Sequence, residues 1–272
     1  MNGRCSLCSS ENVQLKRSHI VPAWAYKRMC NWGRSPSVPI VVEDDRAFFS
    51  SRQMRRYLLC GPCEQRIGKS ERYVAPLTFT HSHVSRLVGL ARDPARSYQY
   101  PGSFRARVAV PADINCEMIG RFGVSVIWRM AVWKQIDQDA SRSFLGPYHE
   151  PLRLYLLGVA PFPPQCAIHL HVVDPTLQES RNYCAIVAYP AGGRSGPFHI
   201  HQFFILGLYF QLYVGKAVYE GLHLACLVHG TPPVYFLTDP RDIGTLVACR
   251  DVFQHSQVVG NARELLKLPS QD

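Results

Sequence analysis

The spacing of apolar positions changes along this chain, and each change predicts an element. Polar turn residues Ser9, Ser10, Glu11 and Asn12 precede a short apolar–polar run at 13–15, the alternation of a strand. Ser18, His19, Ile20 and Val21 lead to Pro22, which suits the first turn of a helix running to about residue 30. Residues 38–42 and 48–59 read as strands around the acidic turn Glu43-Asp44-Asp45. Cys60-Gly61-Pro62-Cys63 then opens a helix through Glu64, Lys69 and Glu71.

Residues 112–138 carry the strongest helical signal. Ile114, Met118, Phe122, Val126, Met130 and Trp133 recur at helical spacing, a stripe expected in the core. A strand is expected at 104–110. From Pro151 onward, Pro and Gly punctuate strand-like runs at 167–173, 183–189, 198–206, 208–214 and 234–237. The glycine-rich stretch from Gly192 to Gly196 reads as a turn, a last helix is expected over 243–253, and the tail from Gly260 is expected to be loosely held. This pattern predicts an α+β fold. A small module spans 1–75, and a larger domain spans 76–272, with a central helix (about 112–138) and an antiparallel sheet (about 167–237).

Composition supports a buried core: 47% of the 272 residues are hydrophobic and 18% charged, which argues against disorder. The longest apolar run, 203–214, is broken by Gly207 and Gln211 and falls short of a membrane span. The opening Met1-Asn2-Gly3-Arg4-Cys5 lacks the apolar stretch of a signal peptide. The expectation is a cytoplasmic protein with no membrane partner. Its net charge of +10 is uneven: residues 1–75 hold 13 Lys/Arg against 6 Asp/Glu, and the rest hold 17 against 14. A basic surplus in one small module suits a polyanion, because Lys and Arg release counterions from phosphates. A solvated basic surface gives the same count, so charge alone leaves the partner open.

Ten cysteines without a secretion signal are not expected to form a disulfide framework. Cys5/Cys8 and Cys60/Cys63 form two Cys-x-x-Cys pairs. The two-residue gap lets both sulfurs of a pair reach one ion, and together they offer the four thiolates of a closed zinc site. The second pair sits at a strand-to-helix turn, where the helix N-terminus favours negative charge. Cys30, Cys116, Cys166, Cys184, Cys226 and Cys249 are isolated and expected mostly as small core residues. His19 lies between the pairs, beside Lys16 and Arg17. A neutral imidazole there can take a proton from water, its ordinary pKa being about 6.5. His169/His171 and His199/His201 each set two imidazoles on one strand face. A polar sheet face or an interface is expected there, with a metal site across facing strands as the lesser alternative.

Cys5-x2-Cys8, Ser18-His19-Ile20-x-Pro22 and Cys60-x2-Cys63-Glu64 resemble the zinc-stabilised branch of the HNH (ββα-metal, treble-clef) endonucleases. They are also similar to a group of largely uncharacterised bacterial proteins with that pattern and a downstream Trp-Arg pair, matched here by Trp128-Arg129. The resemblance covers about residues 1–75 and the helix near Trp128. It implies a treble-clef zinc module in which His19 is the general base that activates a water against a phosphodiester of DNA, less readily RNA. It further implies a divalent ion such as Mg2+ that steadies the charge. Glu64 then stands at the helix metal position in place of the usual Asn or His, and Ser18 stands where Asp is usual. A hydroxyl binds magnesium more weakly than a carboxylate, which leaves Glu64 to supply the charge.

Lys69 matches a lysine that often follows the last cysteine pair, and with Lys16, Arg17 and Arg66 it makes the set of candidate phosphate contacts. Glu71 lies two turns beyond Glu64 on the same helix face and is expected to be salt-bridged or solvated, with a second metal-facing role as the lesser alternative. The implied function is a metal-dependent endonuclease, with bacterial defence against foreign DNA as an analogical setting. The alternative is a non-catalytic zinc module that binds nucleic acid or a protein partner. The larger domain is left open to a protein partner or a second copy of the chain.

Overall fold

In chain order the strands are β1 (Asn2–Gly3), β2 (Val13–His19), β3 (Ile40–Glu43), β4 (Arg46–Phe49), β5 (Arg55–Cys60), β6 (Ser97–Gln99), β7 (Ala106–Ala109), β8 (Cys166–Val173), β9 (Ile186–Ser195), β10 (Phe198–Ile205), β11 (Leu208–Val214) and β12 (Val234–Thr238). The helices are α1 (Ala23–Cys30), α2 (Gly61–Val74), α3 (Arg86–Ala91), α4 (Cys116–Asp137), α5 (His149–Leu157) and α6 (Glu220–His223). These elements come from a computed structural model that describes residues 1–30, 39–43, 46–79, 85–99, 106–137, 144–173, 186–216, 218, 220–243 and 246. His81, His83, Cys184, Cys249, most of the helix expected over 243–253 and the tail from Gly260 lie outside the described residues.

The N-terminal sheet has the order β1-β2-β5, with β2 and β5 antiparallel and a bulge between Lys16 and Arg17. Helix α2 follows β5 directly. Pro62 occupies its first turn, where a missing N–H costs nothing. Cys63, Ile67, Ser70 and Val74 are its buried residues, at the spacing of one helix face.

Helix α4 is buried on nearly every side. Ile119, Phe122, Val124, Val126, Ile127, Trp128, Met130 and Ala131 are all buried, as are Ser125 and Arg129. It contacts both α2 and the large sheet, so the molecule has a helical layer between the N-terminal elements and the strands. Glycine allows the close approach: a Cβ on Gly123 would sit 2.6 Å from Phe210 Cδ1 and 2.8 Å from Ile168 Cδ1.

The α+β class is as expected, but the large sheet is mixed rather than antiparallel. Its order is β4-β3-β9-β10-β11-β8-β12-β7-β6, with β3 parallel to β9 and β12 parallel to β8. The antiparallel centre is built from two tight hairpins. Gly196 (φ 57°) begins the two-residue β9–β10 loop, and Leu206 and Gly207 (φ 47° and 79°) form the β10–β11 loop, the positive-φ backbone that two-residue hairpins need. Much of the expected Gly192–Gly196 turn is therefore strand. The parallel pairs arise where distant segments return to a central strand whose two faces are both covered.

The β3–β4 hairpin also departs from the expected module boundary at residue 75. Ile40, Val41 and Val42 are all buried, and β3 pairs with Ile186, Val187 and Ala188. A strand apolar on successive residues needs cover on both faces, which the small sheet cannot supply.

Helix α5 occupies the start of the region from Pro151 onward in which strand-like runs are expected. That proline falls in the first turn, where it is tolerated, and Gly158 (φ 73°) ends the helix. No helix among the described residues is long and apolar enough to cross a membrane.

Candidate functional site

Cys5 and Cys8 lie on a turn after β1. The turn is closed by Ser9 N–H to Cys5 O at 2.9 Å and Cys5 N–H to Ser10 O at 3.0 Å. Ser6 N–H donates to Leu58 O at 2.9 Å, which docks this turn on β5. Cys60 ends β5 and caps α2, and Cys63 lies in the first turn of α2. The two pairs are more than fifty positions apart in sequence, yet their four sulfurs fall within 4.8 Å of one another.

This donor set fits a zinc ion. Zn–S bonds of about 2.3 Å at tetrahedral angles space the sulfurs about 3.8 Å apart, and Cys8 Sγ lies 3.8 Å from Cys60 Sγ. Cys60 N–H donates to Cys5 Sγ at 3.3 Å, and Ser10 Oγ lies 3.2 Å from Cys8 Sγ. Burial, followed by neighbouring thiols, holds Cys63 well above the usual thiol range. Burial also raises Cys60. At Cys8 burial opposes ionisation, but hydrogen bonds from Ser10 outweigh it and bring the thiol down to about 6. Four such groups ionise together only around a cation, whose binding displaces their protons. Arg153 donates to Leu7 O, and its own charge is favoured first by Glu150 and then by Cys8 and Cys5. It sets a positive group beside what would be a surplus of negative charge.

Ser18 and His19 close strand β2 a short distance away. Ser18 is buried and donates its hydroxyl hydrogen to Glu64 Oε1. His19 is half-buried and pairs across the ladder with Arg55. Burial, then the charges of Arg55 and Arg129, lower its pKa below the usual histidine value, while a Gln53 hydrogen bond and Glu64 pull the other way. The ring is therefore neutral at neutral pH and able to accept a proton.

Behind this strand end sits Arg129, 2% exposed on its side chain. Its Nη1 donates to the His19 carbonyl oxygen at 2.6 Å, its Nη2 lies 2.7 Å from Glu71 Oε1, and its Nε donates to Ser125 O at 3.2 Å. Glu71 is thus engaged in a salt bridge. The neighbouring Trp128 is fully buried and stacks on His149 at 5.5 Å. An arginine inside an apolar helix is a rare enough event to mark the position from sequence, but its partners are not visible there.

The candidate phosphate contacts divide. Lys16 and Arg66 border a groove beside the cysteines. Arg66 also donates to Leu157 O at 2.6 Å at the end of α5, so its guanidinium is partly committed to helix capping. Lys69 is exposed on α2. Arg17 borders a different cavity, together with Arg52, Gln53 and Arg55. Those last three were missed, although the run Arg52-Gln53-Met54-Arg55-Arg56 was a visible signal.

The sheet histidines do not converge. Strand alternation puts His169 and His171 on the face away from α4. His201 pairs with Leu212 on the α4 face and packs edge-on against Phe144 at 4.5 Å. Among the described residues, the four cysteines are the one group of three or more His, Cys, Asp or Glu side chains able to share an ion. Comparison with protein-family models, with curated proteins and with solved structures gives no match.

Proposed function

We propose that the chain is an HNH-like, metal-dependent endonuclease that hydrolyses phosphodiester bonds of DNA, built on a treble-clef zinc module. The observation that supports this reading most is the Ser18–Glu64 hydrogen bond between residues 46 positions apart. It joins the strand end carrying His19 to the head of α2, the two places from which such a site draws its groups. The order of cysteine turn, antiparallel β2–β5 pair and helix supports the treble-clef reading, in which Cys5, Cys8, Cys60 and Cys63 would hold the structural zinc.

In this reading His19 takes a proton from the attacking water as the new O–P bond forms and the bond to the leaving oxygen breaks. Arg129 fixes the His19 backbone. A divalent ion, held by Glu64 and the Ser18 hydroxyl jointly with the substrate phosphate, would neutralise charge on the phosphate and the leaving oxygen. One carboxylate and one hydroxyl fit an ion shared with substrate better than a preformed cage. DNA is the partner, and defence against foreign DNA in the cytoplasm is a setting consistent with this chemistry.

The second reading is a non-catalytic zinc module that binds nucleic acid or a protein. The same hydrogen bond favours it, because the Ser18 proton engages a Glu64 oxygen that an ion would need. A plasmid-nicking assay with Mg2+, Mn2+ or Ni2+ separates the two. The nuclease reading expects nicking that falls by about 100-fold or more in His19→Ala. Absence of nicking with every metal, or nicking indifferent to His19→Ala, removes the enzyme and leaves the binding module.

A further inference from the structure

The cavity that includes Arg17 lies where four parts of the fold meet. Arg17 comes from β2. Ser50, Ser51, Arg52, Gln53 and Met54 come from the segment between β4 and β5, and Arg55 from the start of β5. Val41 and Tyr189 come from the large sheet, and Trp133 comes from the end of α4. Its volume is about 640 Å³, within the range of sites that hold a small organic ligand.

The charge of its lining is one-sided. Among the described residues, three arginines line it and no carboxylate does. Arg17, Arg52 and Arg55 make no ion pair among the described residues. Arg17 instead lies over the exposed Tyr57 ring, 6.0 Å from its centroid. Uncompensated arginines cost self-repulsion, and a phosphate relieves it through paired N–H donors. Ser50, Ser51 and Gln53 add neutral hydrogen-bonding groups. The wall contributed by Trp133 is aromatic and half-buried, with the Arg56 guanidinium 5.9 Å from its ring centroid; an aromatic ring of this kind is a surface on which a nucleobase stacks whatever its sequence.

We propose that this cavity binds one nucleotide, its phosphate held by Arg17, Arg52 and Arg55 and its base set against Trp133. Gln53 links the cavity to the nuclease candidate, since it lines the wall and its side chain acts on the protonation of the His19 ring. A strand seated by one nucleotide here would continue past Arg55, which pairs across the ladder with His19. The inference rests on the nuclease reading for that consequence alone; the binding chemistry stands without it.

The same chemistry can come from a single strand or from a free nucleotide, so the test uses both. Full-length protein is titrated, without added magnesium, with a labelled twelve-residue oligothymidylate and separately with AMP, following fluorescence anisotropy and tryptophan emission. Arg52→Gln and Arg55→Gln are each expected to weaken binding several-fold. Each should also make the salt dependence of single-strand binding shallower by about 0.7 in log–log slope. Trp133→Leu is expected to remove the ligand-induced change in emission and to weaken binding roughly 5- to 100-fold. Binding of both probes through these residues assigns the cavity to a nucleotide from either source, and binding of the oligonucleotide alone assigns it to a strand.

Oligonucleotide and AMP binding unchanged in both arginine variants overturns the proposal. So does weakened binding with no change in Trp133 emission, which leaves a site for phosphate alone. Arg52 and Arg55 are exposed, so their variants remain informative even where Trp133→Leu fails to fold. Because no cleavage is read, loss of the nuclease reading leaves this result intact, and the reverse also holds.

Discussion

Arg129 Nη2 lies 2.7 Å from Glu71 Oε1 while Nη1 of the same guanidinium donates to the backbone carbonyl of His19 at 2.6 Å. One buried side chain on α4 thus ties α2 and the end of β2 together from behind. Removing one member of such a pair leaves an uncompensated buried charge, a loss of about 3–5 kcal/mol. Arg129→Met is expected to lose that much in urea denaturation, and Arg129→Met with Glu71→Leu to regain most of it. Equal stability in the single and double variants would show that the pair does not hold these elements together. Arg129→Lys is not a conservative replacement, since an ammonium lacks the planar fork that serves three acceptors at once.

The four cysteines predict one zinc ion per chain by elemental analysis of the purified protein. Cys8→Ser is expected to lose that ion and a large part of the stability, because metal binding and folding of a small module share one free energy. Protein that carries no metal and melts at the same temperature with and without a chelator would remove the zinc centre.

Burial lowers the pKa of His201 to about 4, assisted by His199 and Lys134. The folded state therefore disfavours a proton that the unfolded chain accepts at about 6.5. The sign follows from linkage: stability is full above 6.5 and falls as pH drops toward 4, by up to about 3 kcal/mol from this residue. Burial shifts His169, His149 and His229 the same way. His201→Leu is expected to flatten stability against pH over this window, measured by urea denaturation between pH 7 and 4. An unchanged slope would mean that His201 meets water or a partner when protonated.

Two glycines in helices should respond in opposite senses to alanine. At Gly123 the new Cβ would meet Phe210 and Ile168 below 3.0 Å, and overpacking of that kind costs about 1–3 kcal/mol. At Gly89, exposed in α3, a Cβ would meet nothing within 4 Å. Alanine there should stabilise by about 0.5–1 kcal/mol through the lower entropy of the unfolded chain. Thermal denaturation of the two variants checks the pair, and a shift in the same direction for both would contradict the packing of α4 on the sheet.

Much of the element pattern was legible in the chain because it depends on local period. Strands β8, β10, β11 and β12 and helices α1, α2 and α4 fall within a few residues of where alternation, helical spacing and proline positions put them. Helix α5 was not legible because Pro151 reads as a breaker until its place in the first turn is known. The two cysteine pairs were legible as metal donors because a two-residue gap is itself a geometric constraint.

Partnership across the fold was not legible. Amino-acid order determined the donors, the basic bias of residues 1–75, and the strands and helices that carry them, since these follow from side-chain chemistry and short-range sterics. The tertiary structure alone decided that β3 joins the large sheet, that His201 and His171 face opposite ways, and that Arg129 finds Glu71 across 58 positions. It also gathered Arg17, Arg52 and Arg55 around one cavity with Trp133. Such contacts depend on which apolar faces bury one another, a choice made by the whole core at once and written in no single segment.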